Sequence, residues 1–248
     1  MVLSTPPPTS ALPAPQQFRA KLENKEQYND RFIKFSFELV EPHTINFLAG
    51  QYISIKATAA GVRRSYSISS TPDFTNQVET LVDIAPGGIG TQFLQSLAFG
   101  DEVEFLAPLG RLVVPQDLEV DQLVFIATGS GISPFKSMIE DQLRNQHDQR
   151  PITLHWGMRS AQDLFWMDDW HELMEAFPNF NFHPVLSQAP EEWTLCRGRV
   201  TNCLMGHGLP ANAAYFVCGN QAMIEDVTTL LVEENNENKN LIFQEKFF

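Results

Sequence analysis

The spacing of apolar residues changes character near Pro115, and that change constrains the fold more than any other feature of the chain. Before it, apolar and polar residues alternate with the period of two that half-buries a strand, at residues 32–40 (FIKFSFELV), 51–57 (QYISIKA) and 78–85 (VETLVDIA); a further strand, 101–110, follows Gly100. A single helix is expected here, starting near Gly90 and covering residues 91–98. Short strands with turn punctuation predict a small antiparallel Greek-key β-barrel over residues 17–116. Beyond Pro115 the apolar runs are compact, at residues 123–128, 152–157, 180–187 and 214–219, and each gap between them is long enough for a helix or crossover. Helices are expected over 134–145, 161–176 and 221–234. This alternation predicts a parallel α/β sheet over residues 117–248, with ligands at the carboxyl ends of its strands. Residues 1–16 carry five prolines and no charge, and are expected to form an extended tail.

Composition narrows the function. A net charge of −13 disfavours nucleic acid and anionic lipid as partners, because both require positive surface. Cys196, Cys203 and Cys218 are too few and too scattered for a disulfide scaffold, form no CxxC pair, and fall short of the four ligands of a plant-type iron–sulfur centre. His155, His171, His183 and His207 show no metal-ligand spacing, so no metal site is expected. No apolar run reaches the length of a membrane span, and the first residues lack the basic and apolar regions of a signal peptide. The expectation is a reducing, cytoplasmic setting.

Four segments carry chemistry. In RRSYSIS, the Arg64 guanidinium can fork onto a pyrophosphate, the Tyr66 ring can lie on a flat heterocycle, and the Ser67 hydroxyl can bond a ring nitrogen. In APGGIGTQFL, Gly87 and Gly88 let backbone approach phosphate, and Thr91 lies in the first turn of the expected helix, whose free amides attract an anion. ATGSGISPF places Thr128, Gly129 and Gly131 between a strand and a helix that holds Pro134 in its first turn, the context of a phosphate loop. VCGNQAM puts Cys218, Gly219 and Met223 at the end of a strand, where a small polarizable side chain permits close approach of two reactants. Residue by residue, plainer readings stay open: solvated arginines on an edge strand, ordinary glycine turns, and a buried hydrophobic cysteine.

Taken together and in this order, the segments resemble the ferredoxin-NADP reductase family over residues 17–248, without a fused iron–sulfur domain. The matches are Arg-x-Tyr-Ser at Arg64, Tyr66 and Ser67, Gly-Gly-x-x-Thr at Gly87, Gly88 and Thr91, and Cys-Gly-x-x-x-Met at Cys218, Gly219 and Met223. The Gly-Thr-Gly-Ile-Ala-Pro pattern is met at residues 129–134 with Ser130 and Ser133 as substitutes. The resemblance implies FAD in the barrel, NADH or NADPH in the second domain, hydride transfer between them beside Ser67 and Cys218, and electron release to a ferredoxin or oxygenase-type protein, or alternatively to free flavin or another small acceptor. It also implies a proton-handling role for Glu245, aromatic cover of the flavin by Phe247 or Phe248, and adenosine-ribose contact by Arg159. Asp163 and Asp168 surround that arginine with negative charge, which leans the reading toward NADH. Ferredoxins are generally acidic, so this acidic chain would need a local basic face or a basic partner.

Overall fold

A computed structural model describes residues 12–247, which divide into two compact units. Residues 1–11 of the expected tail lie outside the described residues, and Gln16, its last residue, opens the first strand. Among the described residues, one unit holds residues up to Val114 together with Ser133–Asn145; the other holds Pro115–Ile132 and residues 146–247.

The first unit is an antiparallel six-stranded sheet of β1 (Gln16–Gln27), β2 (Phe32–Glu41), β3 (Tyr52–Lys56), β4 (Arg63–Ser67), β5 (Gln77–Asp83) and β6 (Glu102–Leu109), in the order β4-β3-β6-β1-β2-β5. A bridge from Ile68 to Thr80 joins its two edges, which is how a barrel removes unpaired strand ends. Ile53 and Ile55 alternate inward from β3 as their period requires, and Phe18 stacks on Phe105 at 5.4 Å from neighbouring strands. On β2 the alternation breaks, because Phe32 and Ile33 are both buried. The one helix between β5 and β6, α1 (Ile89–Ser96), begins just before Gly90 and buries Leu94 in the same core.

In the other unit, β7 (Gln122–Thr128), β8 (Ile152–Met158), β9 (Phe180–Leu186), β10 (Cys196–Arg197), β11 (Ala213–Gly219) and β12 (Ile242–Lys246) form a wholly parallel sheet in the order β10-β9-β8-β7-β11-β12. Every residue of β11 is buried, as expected of a central strand covered on both faces. On one face the register aligns Phe125, Phe216 and Phe243, whose rings stack at 4.9 Å in each pair. On the other, Ile126 and Val217 pack beneath α4 (Val200–His207) and α5 (Gln221–Thr228).

Several expectations need correction. The helix anticipated over 161–176 is a 3-10 turn (Ala161–Asp163), a short connection and α3 (Met167–Ala176). The helices expected over 134–145 and 221–234 each end in a π-helical turn, Asp141–Asn145 after α2 (Ile132–Glu140) and Thr229–Glu234 after α5. α2 follows β7 in the chain, yet most of it packs with the first unit: Ser133 Oγ donates to the Ser67 carbonyl at 3.2 Å and Ser137 Oγ to the Ser70 carbonyl at 2.7 Å. Cys196 and Cys203 are joined by a disulfide, a pair the scattered spacing did not suggest.

Candidate functional site

In the first unit, β4 carries Arg64 and Tyr66 on one side and Ser67 toward the interior. Tyr66 is half-buried, and burial pushes its phenol up to about 12, so it is a neutral hydroxyl. Ser67 is buried, and its Oγ has no hydrogen-bond partner among the described residues. A buried hydroxyl without a partner costs free energy unless a ligand satisfies it, and that fits a bound heterocycle with a polar edge. Arg64 is exposed, with one guanidinium nitrogen donating to the Arg63 carbonyl at 2.7 Å.

Gly90 is the glycine that packs against these residues. A Cβ there would come within 2.3 Å of the Tyr66 hydroxyl and 2.7 Å of Arg64 Cγ, so the first turn of α1 lies directly against both side chains. Gly87 and Gly88 face open space; Gly87 has a positive φ of +61°, and Gly88 precedes the first helical residue. The Thr91 hydroxyl donates to the Gly88 carbonyl at 2.7 Å, so it tightens the turn. The amides at the start of α1 stay near the arginine, an arrangement that suits a pyrophosphate.

In the second unit, three strand ends converge. Gly131 sits where a Cβ would lie 2.3 Å from the Cys218 carbonyl oxygen and 2.6 Å from its carbon, so only glycine lets the loop after β7 rest on the end of β11. Gly219, at φ +153°, leaves no room for a side chain between Thr128 Oγ1 and Met223 Cε. Trp156 Nε1 donates to the Gly129 carbonyl at 3.0 Å, and Asn220 both caps α5 through the Met223 amide at 2.9 Å and reaches Thr128 Oγ1 at 3.3 Å. Sequence reasoning missed Gly90, Trp156 and Asn220. Their roles depend on what another strand brings to them, and the Asn-x-x-Met spacing of a cap was the one local signal.

Cys218 is fully buried, and its thiol is raised by burial and by the charge of Glu245. Glu245 is its register partner on β12; burial pushes that carboxyl up to about 7. The Phe247 amide donates to the Gly219 carbonyl at 2.8 Å, while Phe248 lies outside the described residues. Arg159 is exposed just beyond β8, and Asp163 turns its carboxylate to the Ser160 amide and hydroxyl. Pro134 lies within α2, grouped with the first unit.

The comparisons with known proteins fall on the same two units. An oxidoreductase FAD-binding domain model matches residues 19–114, and an oxidoreductase NAD-binding domain model matches residues 125–229. The chain belongs to the ferredoxin-NADP reductase-like oxidoreductases. Within that family it is similar to the reductase component of phenol 2-monooxygenase from Pseudomonas sp. (strain CF600), at 34% identity over 82% of this chain and 58% of the relative. The reductase subunit of an aromatic O-demethylase from Amycolatopsis sp. is also 34% identical, over 75% of this chain and 56% of the relative. The chain thus spans less than three-fifths of the length of these curated relatives. Among solved structures, the Amycolatopsis cytochrome P450 reductase superposes with a TM-score of 0.87 at 28% identity, over 96% of this chain and 71% of that one. A ferredoxin NADP+ reductase from Neisseria gonorrhoeae, with bound FAD and NADP, shares the fold at a TM-score of 0.78 and 22% identity, over 94% of this chain and 99% of that one. The reductase-like chain has FAD-binding and NAD-binding domains in that order, and no helix among the described residues is long and apolar enough to cross a membrane.

Proposed function

We propose that this protein is a cytoplasmic FAD-dependent NAD(P)H oxidoreductase that delivers electrons to an oxygenase-type protein partner. The observation that carries the reading is the seating of Gly131 on the Cys218–Gly219 peptide, which rests the glycine-rich loop after β7 on the strand end that holds a small, uncharged thiol, an arrangement that supports a nucleotide site there. FAD, when bound, would accept a hydride and release its electrons singly. The protein's own residues bind and align. Arg64 and the start of α1 would hold the pyrophosphate, Tyr66 would flank the ring, and the unsatisfied Ser67 hydroxyl would bond its polar edge. Glu245, poised near neutrality, would hold or release a proton beside Cys218.

Support for a protein acceptor comes from the relatives named as reductase components of oxygenases. With a net charge of −13, the chain would meet a partner carrying a basic docking face. Steady-state reduction of ferricyanide, cytochrome c and free FMN, each with NADH and with NADPH, tests the proposal. Rapid reduction of ferricyanide and cytochrome c with slow turnover of FMN is expected; turnover of free FMN alone would move the protein to the small-acceptor class.

A further inference from the structure

The second unit holds a thiol and imidazole cluster that nucleotide binding does not use. The register of β8 and β9 sets His155 beside His183 on one sheet face, with ring centroids 5.0 Å apart. α4 packs over that face, and its Cys203 and His207, one helical turn apart, both point toward His155. Cys203 Sγ lies 3.3 Å from His155 Nδ1, and the two-residue strand β10 brings Cys196 to the same sulfur through the disulfide. Ligand atoms of His155, Cys203 and His207 all fall within 4.8 Å of one another. Four donor side chains from three separate elements thus converge on one small volume.

We propose that, once the Cys196–Cys203 bond is reduced, Cys196, Cys203, His155 and His207 bind one borderline-soft divalent cation of the zinc type. Sulfur and nitrogen ligands on one tetrahedral zinc, at about 2.3 and 2.0 Å from the metal, lie about 3.5 Å apart, close to the separation already present between Cys203 and His155. His207 Nδ1 lies 3.7 Å from Cys203 Sγ and 2.9 Å from the Cys203 carbonyl, so as a ligand it would exchange that carbonyl for the metal. His183, whose ring lies 3.8 Å from that of His207, walls the remaining side. Two molecules of a small cellular thiol would deliver two electrons and two protons to the disulfide, leaving as their own disulfide. The two protein thiols would then surrender their protons as the cation binds. The disulfide and the metal site are therefore exclusive states of one cluster, and the cation would tie β8, β10 and α4 together.

Cobalt(II) is the probe, added anaerobically to the full-length protein after reduction and removal of the reductant. One equivalent should bind with a sulfur-to-cobalt charge-transfer band and the intense visible bands of tetrahedral coordination, and diamide oxidation should abolish both. The double variant Cys196→Ser, Cys203→Ser should lose the charge-transfer band, and His207→Ala, at an exposed position, should weaken binding at least tenfold. Reduced wild-type protein without a charge-transfer band, or an unchanged spectrum in both variants, would overturn the proposal. The band's loss in the double variant also separates this site from the one thiol left there, Cys218, which is buried at the end of β11.

Discussion

Cys218 and Glu245 are register partners on the adjacent parallel strands β11 and β12, where burial opposes the charging of both and the Glu245 carboxylate further raises the cost of charging the thiol. The buried thiol stays protonated, which makes it a small neutral surface rather than a nucleophile. The carboxyl, pushed by burial from an ordinary value of 4.5 to about 7, changes charge within the physiological range.

That shift fixes a pH dependence. Because the folded protein holds the Glu245 proton more tightly than the unfolded chain does, the group's stabilising contribution is fully present below about pH 4.5 and is lost as pH climbs through about 7. Glu245→Gln should therefore melt higher than wild type at alkaline pH and lose that advantage in acid. In turnover, the variant's kcat should lack the wild-type inflection near neutrality. Parallel melting curves across the pH range would remove Glu245 from the proton-handling role.

Cys218→Ala should slow flavin reduction by the nicotinamide about tenfold while FAD content stays near that of wild type, since the residue touches the loop at Gly131 that is proposed to hold the nucleotide, and the proposed pyrophosphate clamp is built from other residues. A tenfold loss corresponds to about 1.4 kcal/mol of barrier, a reasonable consequence of poorer alignment. Stopped-flow traces superimposable on wild type would return Cys218 to a packing role.

Gly90 and Gly88 give opposite expectations for the same substitution. Alanine at Gly90 meets Tyr66 and Arg64 at sub-contact distances, so Gly90→Ala should displace both and leave mainly apoprotein, although alanine is the better helix former by about 1 kcal/mol. Alanine at Gly88 enters open space at an ordinary φ of −71° and should keep its FAD. The absorbance ratio of flavin to protein in the two purified variants decides the matter; equal FAD content in both would show that the Tyr66 and Arg64 positions do not set flavin affinity.

The contrast between these glycines also shows what was legible in the sequence. Strand periodicity located β2, β3, β7, β8 and β11, because a half-buried or fully buried strand writes its environment into consecutive residues. The loop after β7 was legible as a glycine-rich strand-to-helix turn, but the reason Gly131 must be glycine is a carbonyl in β11, nearly ninety positions away. Gly90 was passed over in favour of its neighbours for the same reason. α4 was not foreseen, since VTNCLMGH mixes Asn202 and Gly206 into a short stretch without a clean apolar stripe, and β10 is only two residues long. With those two elements unseen, the approach of Cys196, Cys203, His155 and His207 had no signature in sequence spacing. The packing of Ser133 and Ser137 onto the Ser67 to Ser70 segment is likewise a tertiary choice that no local pattern records.

Nucleotide preference rests on Arg159. Its guanidinium is exposed beyond β8, Asp163 is held by Ser160, and Asp168 lies in the first turn of α3, so Arg159 is a solvated cation close in sequence to carboxylates that keep their charge. An exposed ion pair contributes about 0.2–1 kcal/mol, too little to compensate a doubly charged 2′-phosphate brought among carboxylates. NADH should therefore show the higher kcat/KM, and Arg159→Ala should leave NADH nearly unchanged while lowering the NADPH value about two- to fivefold. A strong NADPH preference in the wild type that disappears in the variant would show that Arg159 grips the phosphate in a geometry stronger than a solvated pair.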